Sequence, residues 1–333
     1  MKRPLFVFAG QSNMMGAASL EAKQRFSFQN SFEYLHKPKR FGASIGQFKK
    51  EAFPAGEFSY KNLKEAYENE TDFAVKSTLT DYTANTFFCP AMSNVIDESR
   101  KIELGFQDFS EATAKSGPCL APYFAKELED AGYACAYTHI AKGSIGINYY
   151  LEGDAADYFS EKVCNFFSDS KQFFPEDDID EKVFVWHQGE SDSTSSYHDY
   201  LNSLKQLTKK TKEIGFTKFF ICRVGYWGNE KIVNIMRAQE DFCRQEKEAF
   251  MITRAASFFE YPNQEIDNWF SASIEEEYQF CRDSFFGYQN NHINEKGFQI
   301  LAKHAAPNAI RILFEGKKPI LEKEIIIPLQ SFA

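Results

Sequence analysis

The chain has 333 residues, with 38 Lys and Arg against 47 Asp and Glu and a formal charge of −9, which excludes a generally basic nucleic-acid binder. At 43% hydrophobic and 26% charged, with 18 Gly and 11 Pro, the composition is globular, and disordered or collagen-like chains are excluded. Its 35 Phe are scattered among polar residues, and no apolar run approaches the roughly 18 to 20 residues of a membrane helix.

The first element expected is a strand at Leu5 to Ala9. The preceding Met1-Lys2-Arg3 imitates a signal peptide, but the apolar run is shorter than a leader requires, and cytoplasmic residence is the expectation. Residues 20 to 116 break the rhythm of the rest and read as a long insertion or lid within a single domain of residues 1 to 333. Within it, residues 21 to 64 hold nine Lys/Arg against four Asp/Glu, either a solvated basic face or an electropositive wall for an acidic substrate. From there helical patterns and β-rich runs alternate. Helices are expected at Leu120 to Ala131, Tyr158 to Ser168, Tyr197 to Ile214 and Ile232 to Lys247. Strands are expected at Ala134 to Ala141, Lys182 to His187, Lys218 to Val224 and Ala249 to Arg254. A last helix at Glu295 to Phe314 should break or kink at Pro307. The acidic run Glu176 to Glu181 reads as an exposed loop. This alternation is that of an α/β fold, a parallel sheet covered on both faces. The seven cysteines include no C-x-x-C pair, so neither a disulfide framework nor a zinc site is expected.

Four segments concentrate chemistry. Gly10-Gln11-Ser12-Asn13-Met14-Met15-Gly16 follows the first strand, at the sheet edge where open α/β folds build sites. Ser12 is the nucleophile candidate, and the backbone N–H of Ser12 or Asn13 could face an oxyanion; a serine there is also a common helix N-cap. Trp186-His187-Gln188-Gly189-Glu190-Ser191-Asp192 ends another strand. Gln188 could donate to an oxyanion and Glu190 could orient a base or bind a sugar hydroxyl, while Ser191 to Ser193 read as an N-cap for the next helix. His292, in Asn290-Asn291-His292-Ile293-Asn294-Glu295-Lys296-Gly297, is the candidate general base if its loop reaches the rim that holds Ser12. In Ala141-Lys142-Gly143-Ser144-Ile145-Gly146, Gly143 is a second oxyanion-donor candidate. Gln11, Asn13, His187 and Gln289 are candidates for substrate contact, and no histidine pair has metal-ligand spacing.

In their order along the chain these blocks resemble the SGNH-hydrolase superfamily, in particular carbohydrate esterases with the sialate O-acetylesterase-like domain and the acetylxylan esterases of carbohydrate esterase family six. AGQSNMMG at 9 to 16 is similar to the nucleophile block and AKGSIG at 141 to 146 to the oxyanion-glycine block. WHQGESD at 186 to 192 is similar to the Q-G-E-S-D block, NHINEKG at 291 to 297 to the histidine block, and Arg237-Ala238-Gln239 to a further signature. The resemblance implies a three-layer α/β/α flavodoxin-like sheet of about five parallel strands. It implies a serine esterase acting on an O-acetylated carbohydrate, with no cofactor or metal and with Ser12, Gly143 and Gln188 forming the oxyanion hole. One position departs: the superfamily commonly has Asp three residues before the histidine, and here it is Gln289. Either Ser12 and His292 work as a dyad, or another carboxylate, first of all Glu190, takes the third role. A sugar O-acetyltransferase with the same acyl-enzyme and an inactive carbohydrate-binding protein are the alternatives.

Overall fold

The computed structural model describes residues 1–15, 26–34, 106–107, 109–110, 119–141, 145–225, 232–257 and 292–322. In chain order the strands are β1 (Leu5–Gly10), β2 (Phe26–Ser27), β3 (Phe32–Tyr34), β4 (Phe106–Gln107), β5 (Phe109–Ser110), β6 (Ala136–His139), β7 (Lys182–His187), β8 (Lys218–Cys222) and β9 (Ala249–Thr253). The helices are α1 (Ser12–Met15), α2 (Leu120–Asp130), α3 (Gly153–Phe173), α4 (Tyr197–Ile214), α5 (Ile232–Gln245) and α6 (Glu295–Leu313). Among the described residues, seven strands form one sheet in the order β4-β3-β6-β1-β7-β8-β9. Six are parallel and β4 is an antiparallel edge. The expected α/β class and flavodoxin-like layering hold, with six parallel strands where about five were expected. The extra strand, β3, and the edge strand β4 come from the region read as an insertion, and at three and two residues they are too short to show a period of two.

β1 lies at the centre, and the chain leaves it toward β6 on one side and β7 on the other, so its C-terminal end sits at the switch in strand order where open sheets place their clefts. All six of its residues are buried. Phe6 and Phe8 pack with α2 and α6 in one core, while Leu5, Val7 and Ala9 pack with α3, α4 and α5 in the other. β7 alternates the same way, with Val183 and Val185 toward the first core and Phe184 and Trp186 toward the second. Aromatic rings fill both layers: Phe124 meets Phe6 and Phe8 edge-on at 5.1 and 5.4 Å, and Tyr150 meets Trp186 at 5.1 Å. Each such ring contributes roughly 1.5 to 3 kcal/mol by leaving water. No helix among the described residues is long and apolar enough to cross a membrane.

Three local expectations are refined. Of the break or kink expected at Pro307 there is no break, since α6 runs on through it to Leu313. Helix α4 is capped by Ser196, whose side chain accepts from the Asp199 N–H, and not by Ser191 to Ser193. The acidic run is partly structural, because Asp177 lies 2.6 Å from the buried Arg3 Nε and 2.8 Å from the N-terminal ammonium.

The sharpest steric constraint is at the end of β1. Gly10 has φ 154°, and a Cβ there would stand 2.1 Å from the His187 carbonyl oxygen of the neighbouring strand. Gly189, two residues past that carbonyl, also has φ 154°, and its Cβ would meet Ile235 Cγ2 at 2.5 Å. These glycines let two chains turn out of the sheet side by side. Gly10→Ala should therefore destabilise the protein by about 3 kcal/mol or more, read from urea unfolding; a cost under about 0.5 kcal/mol would show that β1 and β7 do not approach this closely.

Candidate active site

Ser12 opens the single turn α1 directly beyond Gly10, and is 9% exposed. Two groups hold this turn in place. The Tyr150 hydroxyl accepts from the Gly10 N–H at 3.1 Å and lies 2.7 Å from the Gly10 carbonyl. The His139 ring bonds the Met14 carbonyl, and burial keeps that imidazole neutral, its pKa lowered to about 4.

His292 reaches the same rim from the far end of the chain. Asn294 caps α6 by accepting from the Gly297 N–H at 3.0 Å. Ile293 before the cap and Phe298 in the first turn are both buried in one core, a hydrophobic staple that fixes the angle at which the chain enters the helix. Tyr123 of α2 donates to Glu295 at 2.8 Å and pins the first turn. The Ile293 N–H then donates to Asn13 Oδ1 at 2.9 Å. Ser12 and His292 each neighbour one partner of this bond, so the structure brings nucleophile candidate and base candidate to one edge of the sheet.

Glu190 joins them. Its Oε1 accepts from Asn13 Nδ2 at 2.9 Å, and its Oε2 is buried with no hydrogen-bond partner among the described residues. Half-burial pulls the His292 pKa below its ordinary 6.5, and the nearby Glu190 carboxylate pushes against that shift. The net direction is down, so the imidazole is neutral and able to accept a proton at neutral pH.

Gln188 is placed differently from the expectation. It is fully buried, and its Nε2 lies 3.1 Å from Gln11 Oε1, 3.1 Å from the Ile145 carbonyl and 2.6 Å from Asp192 Oδ2. Both amide hydrogens thus have acceptors inside the protein. Its backbone carbonyl accepts from Tyr200 at 2.7 Å and from Gln239 Nε2 at 2.8 Å, while Gln239 Oε1 takes the Val224 N–H. Gln11 is buried and also accepts from the Ser191 N–H at 2.9 Å, and Asn13 is 1% exposed. His187 is 2% exposed and donates from Nδ1 to the Cys222 carbonyl at 2.9 Å. The side chains of Gln11, Asn13 and His187 therefore lie under the rim, facing protein. Gly143 and Gln289 lie outside the described residues.

Sequence reasoning read Asp192 only as part of the Ser191 to Ser193 N-cap and passed over Tyr200. Asp192 accepts from Gln188 and from the Ile147 N–H at 2.8 Å, and a Cβ on Gly146 would stand 2.8 Å from its Oδ1. Burial raises its pKa, against those hydrogen bonds. Its spacing of four from Gln188 inside the WHQGESD block was the available signal; Tyr200, on a helix, offered none. No group of three or more His, Cys, Asp or Glu among the described residues could hold a metal.

No family model matches the chain, and no curated protein matches it. Among solved structures it is similar to a protein from Arabidopsis thaliana, at 12% identity over 94% of this chain and 100% of that one, with a TM-score of 0.49. It is also similar to a carbohydrate acetylesterase from Xanthomonas citri, at 14% identity over 95% of this chain and 57% of that one, TM-score 0.42. A third is NanS, at 10% identity over 94% and 98%, TM-score 0.46.

The Gln188 network is testable without any substrate. Gln188→Glu keeps the shape but sets a second carboxylate against Asp192 in a buried site, with a cost of about 3 kcal/mol or more at neutral pH. Burial and repulsion raise the pKa of such a pair, so the lost stability should return as the pH falls toward about 5. Urea midpoints at the two pH values measure it; a loss that grows on acidification contradicts the assignment.

Proposed function

We propose that the chain is a serine hydrolase that removes O-acetyl groups from a carbohydrate. The observation that carries the reading is the 2.9 Å bond between Ile293 N and Asn13 Oδ1, which brings a serine and a histidine to one rim although 280 residues separate them in the chain. The choice of an O-acetyl sugar follows the resemblance of the four motif blocks.

In this mechanism His292 takes the proton of Ser12 as Oγ attacks the acetyl carbonyl. The tetrahedral oxyanion forms beside the backbone N–H of Ser12, with Gly143 as the second donor. The imidazolium returns the proton to the departing sugar oxygen, and water, deprotonated by the same histidine, resolves the acetyl-serine. The Glu190 carboxylate stabilises the imidazolium and takes the third role of the usual triad. Gln188 joins the oxyanion hole only by giving up Asp192, Ile145 or Gln11, so its main work is to tie the two strand ends together. The basic stretch of residues 21 to 64 favours an acidic sugar, such as an O-acetylated sialic acid, over neutral xylan.

Acetate release from a panel of O-acetylated sugars tests the reading. The wild type should release acetate and Ser12→Ala should lose about a thousandfold or more in kcat; equal release by both contradicts the mechanism. The pH dependence has a worked sign. Only neutral His292 accepts the proton, so kcat/KM should rise through an apparent pKa below 6.5. Glu190→Gln removes the charge that opposes that shift, and should move this limb further down while lowering the plateau roughly tenfold. A limb that stays or moves up removes Glu190 from the mechanism.

A further inference from the structure

The Asn13 side chain has one polar group on each side of a planar amide, and each side has a different kind of partner. Nδ2 donates to Glu190 Oε1 and Oδ1 accepts from the Ile293 N–H, both at 2.9 Å. The orientation of the amide is unambiguous, because a backbone N–H only donates and an ionised carboxylate only accepts. The side chain is 1% exposed, so it does not meet a substrate. It also follows Ser12 in the same helical turn. One amide therefore binds the nucleophile's own turn to the carboxylate loop and to the histidine loop.

The consequence falls on Glu190. With Oε1 held by Asn13, the carboxylate plane is set, and Oε2 remains buried with no partner among the described residues. The charge so placed acts on His292. Building on the hydrolase reading above, we propose that Asn13 is a positioning residue that acts twice on the base: it aims Glu190 at His292, and it holds the His292 loop at a fixed distance from Ser12. An aspartate at this position would still accept from Ile293 but would face Glu190 with a second negative charge. An alanine would leave both partners unpaired.

The test is a swap of polarity. Asn13→Asp should lower kcat on p-nitrophenyl acetate by about tenfold or more while KM changes less than about threefold, and should move the His292 titration followed by NMR of its ring protons. Adding Glu190→Gln restores a donor facing an acceptor with the direction reversed. The double variant should then turn over faster than the product of the two single effects predicts. The proposal is overturned if folded Asn13→Asp keeps both kcat and the His292 titration at wild-type values, or if the double variant shows no such rescue. Should Asn13→Asp fail to fold, the double variant is compared with Glu190→Gln: activity at least equal supports the swap, and activity tenfold lower contradicts it. A wild type that releases no acetate sinks the hydrolase reading alone, because the NMR titration still decides whether Asn13 governs the surroundings of His292.

Discussion

Side-chain amides buried where strands end have no water to fall back on, and the whole rim of this sheet is organised by that requirement. An unpaired amide in such a place costs about 1 to 3 kcal/mol. Gln11, Asn13, Gln188 and Gln239 each answer it by reaching into another loop. The bonds that satisfy them are the bonds that bring the ends of β1 and β7, the start of α6 and the turn before α3 to one place. Polar satisfaction and assembly of the site are thus the same physical event.

The aromatic layers beneath provide the rigidity that this arrangement needs. Phe6, Phe8 and Phe124 on one face, and Tyr150, Phe184 and Trp186 on the other, lock the strands from which the polar loops leave. Trp186 and Tyr200 connect the two regimes, since the indole N–H reaches the Tyr200 hydroxyl at 3.3 Å and that hydroxyl reaches the Gln188 carbonyl. On the far side of the sheet edge, Glu240 is held by both Arg223 and Arg254. Burial opposes its ionisation, yet the two guanidiniums outweigh that and keep it below the usual carboxylate range.

Much of the fold was legible because buried parallel strands write themselves as short apolar runs. β1, β7, β8 and β9 lie where Leu5 to Ala9, Lys182 to His187, Lys218 to Val224 and Ala249 to Arg254 predicted them, within one or two residues. Short strands carry too few residues for a period, and β3 and β4 were therefore missed. At the site, the turn after β1 and the histidine before α6 were readable from residue type and position. What each side chain bonds was not. Gln188 read as a donor to substrate because a glutamine beside a glycine at a strand end looks free. Its actual acceptors come from Gln11, Ile145 and Asp192, which no local pattern connects. Asn13 was open to the same error, for its two partners lie 177 and 280 residues away.

The central claim is that this packing makes the Ser12 hydroxyl nucleophilic through His292, and covalent labelling reads that property directly. Treatment with an organophosphate such as paraoxon, followed by peptide mass analysis, should give one phosphoryl adduct per chain on the peptide containing Ser12, and His292→Ala should slow its formation by about a hundredfold or more. An adduct on a different serine, or labelling of Ser12 at the same rate without the imidazole, would contradict the account.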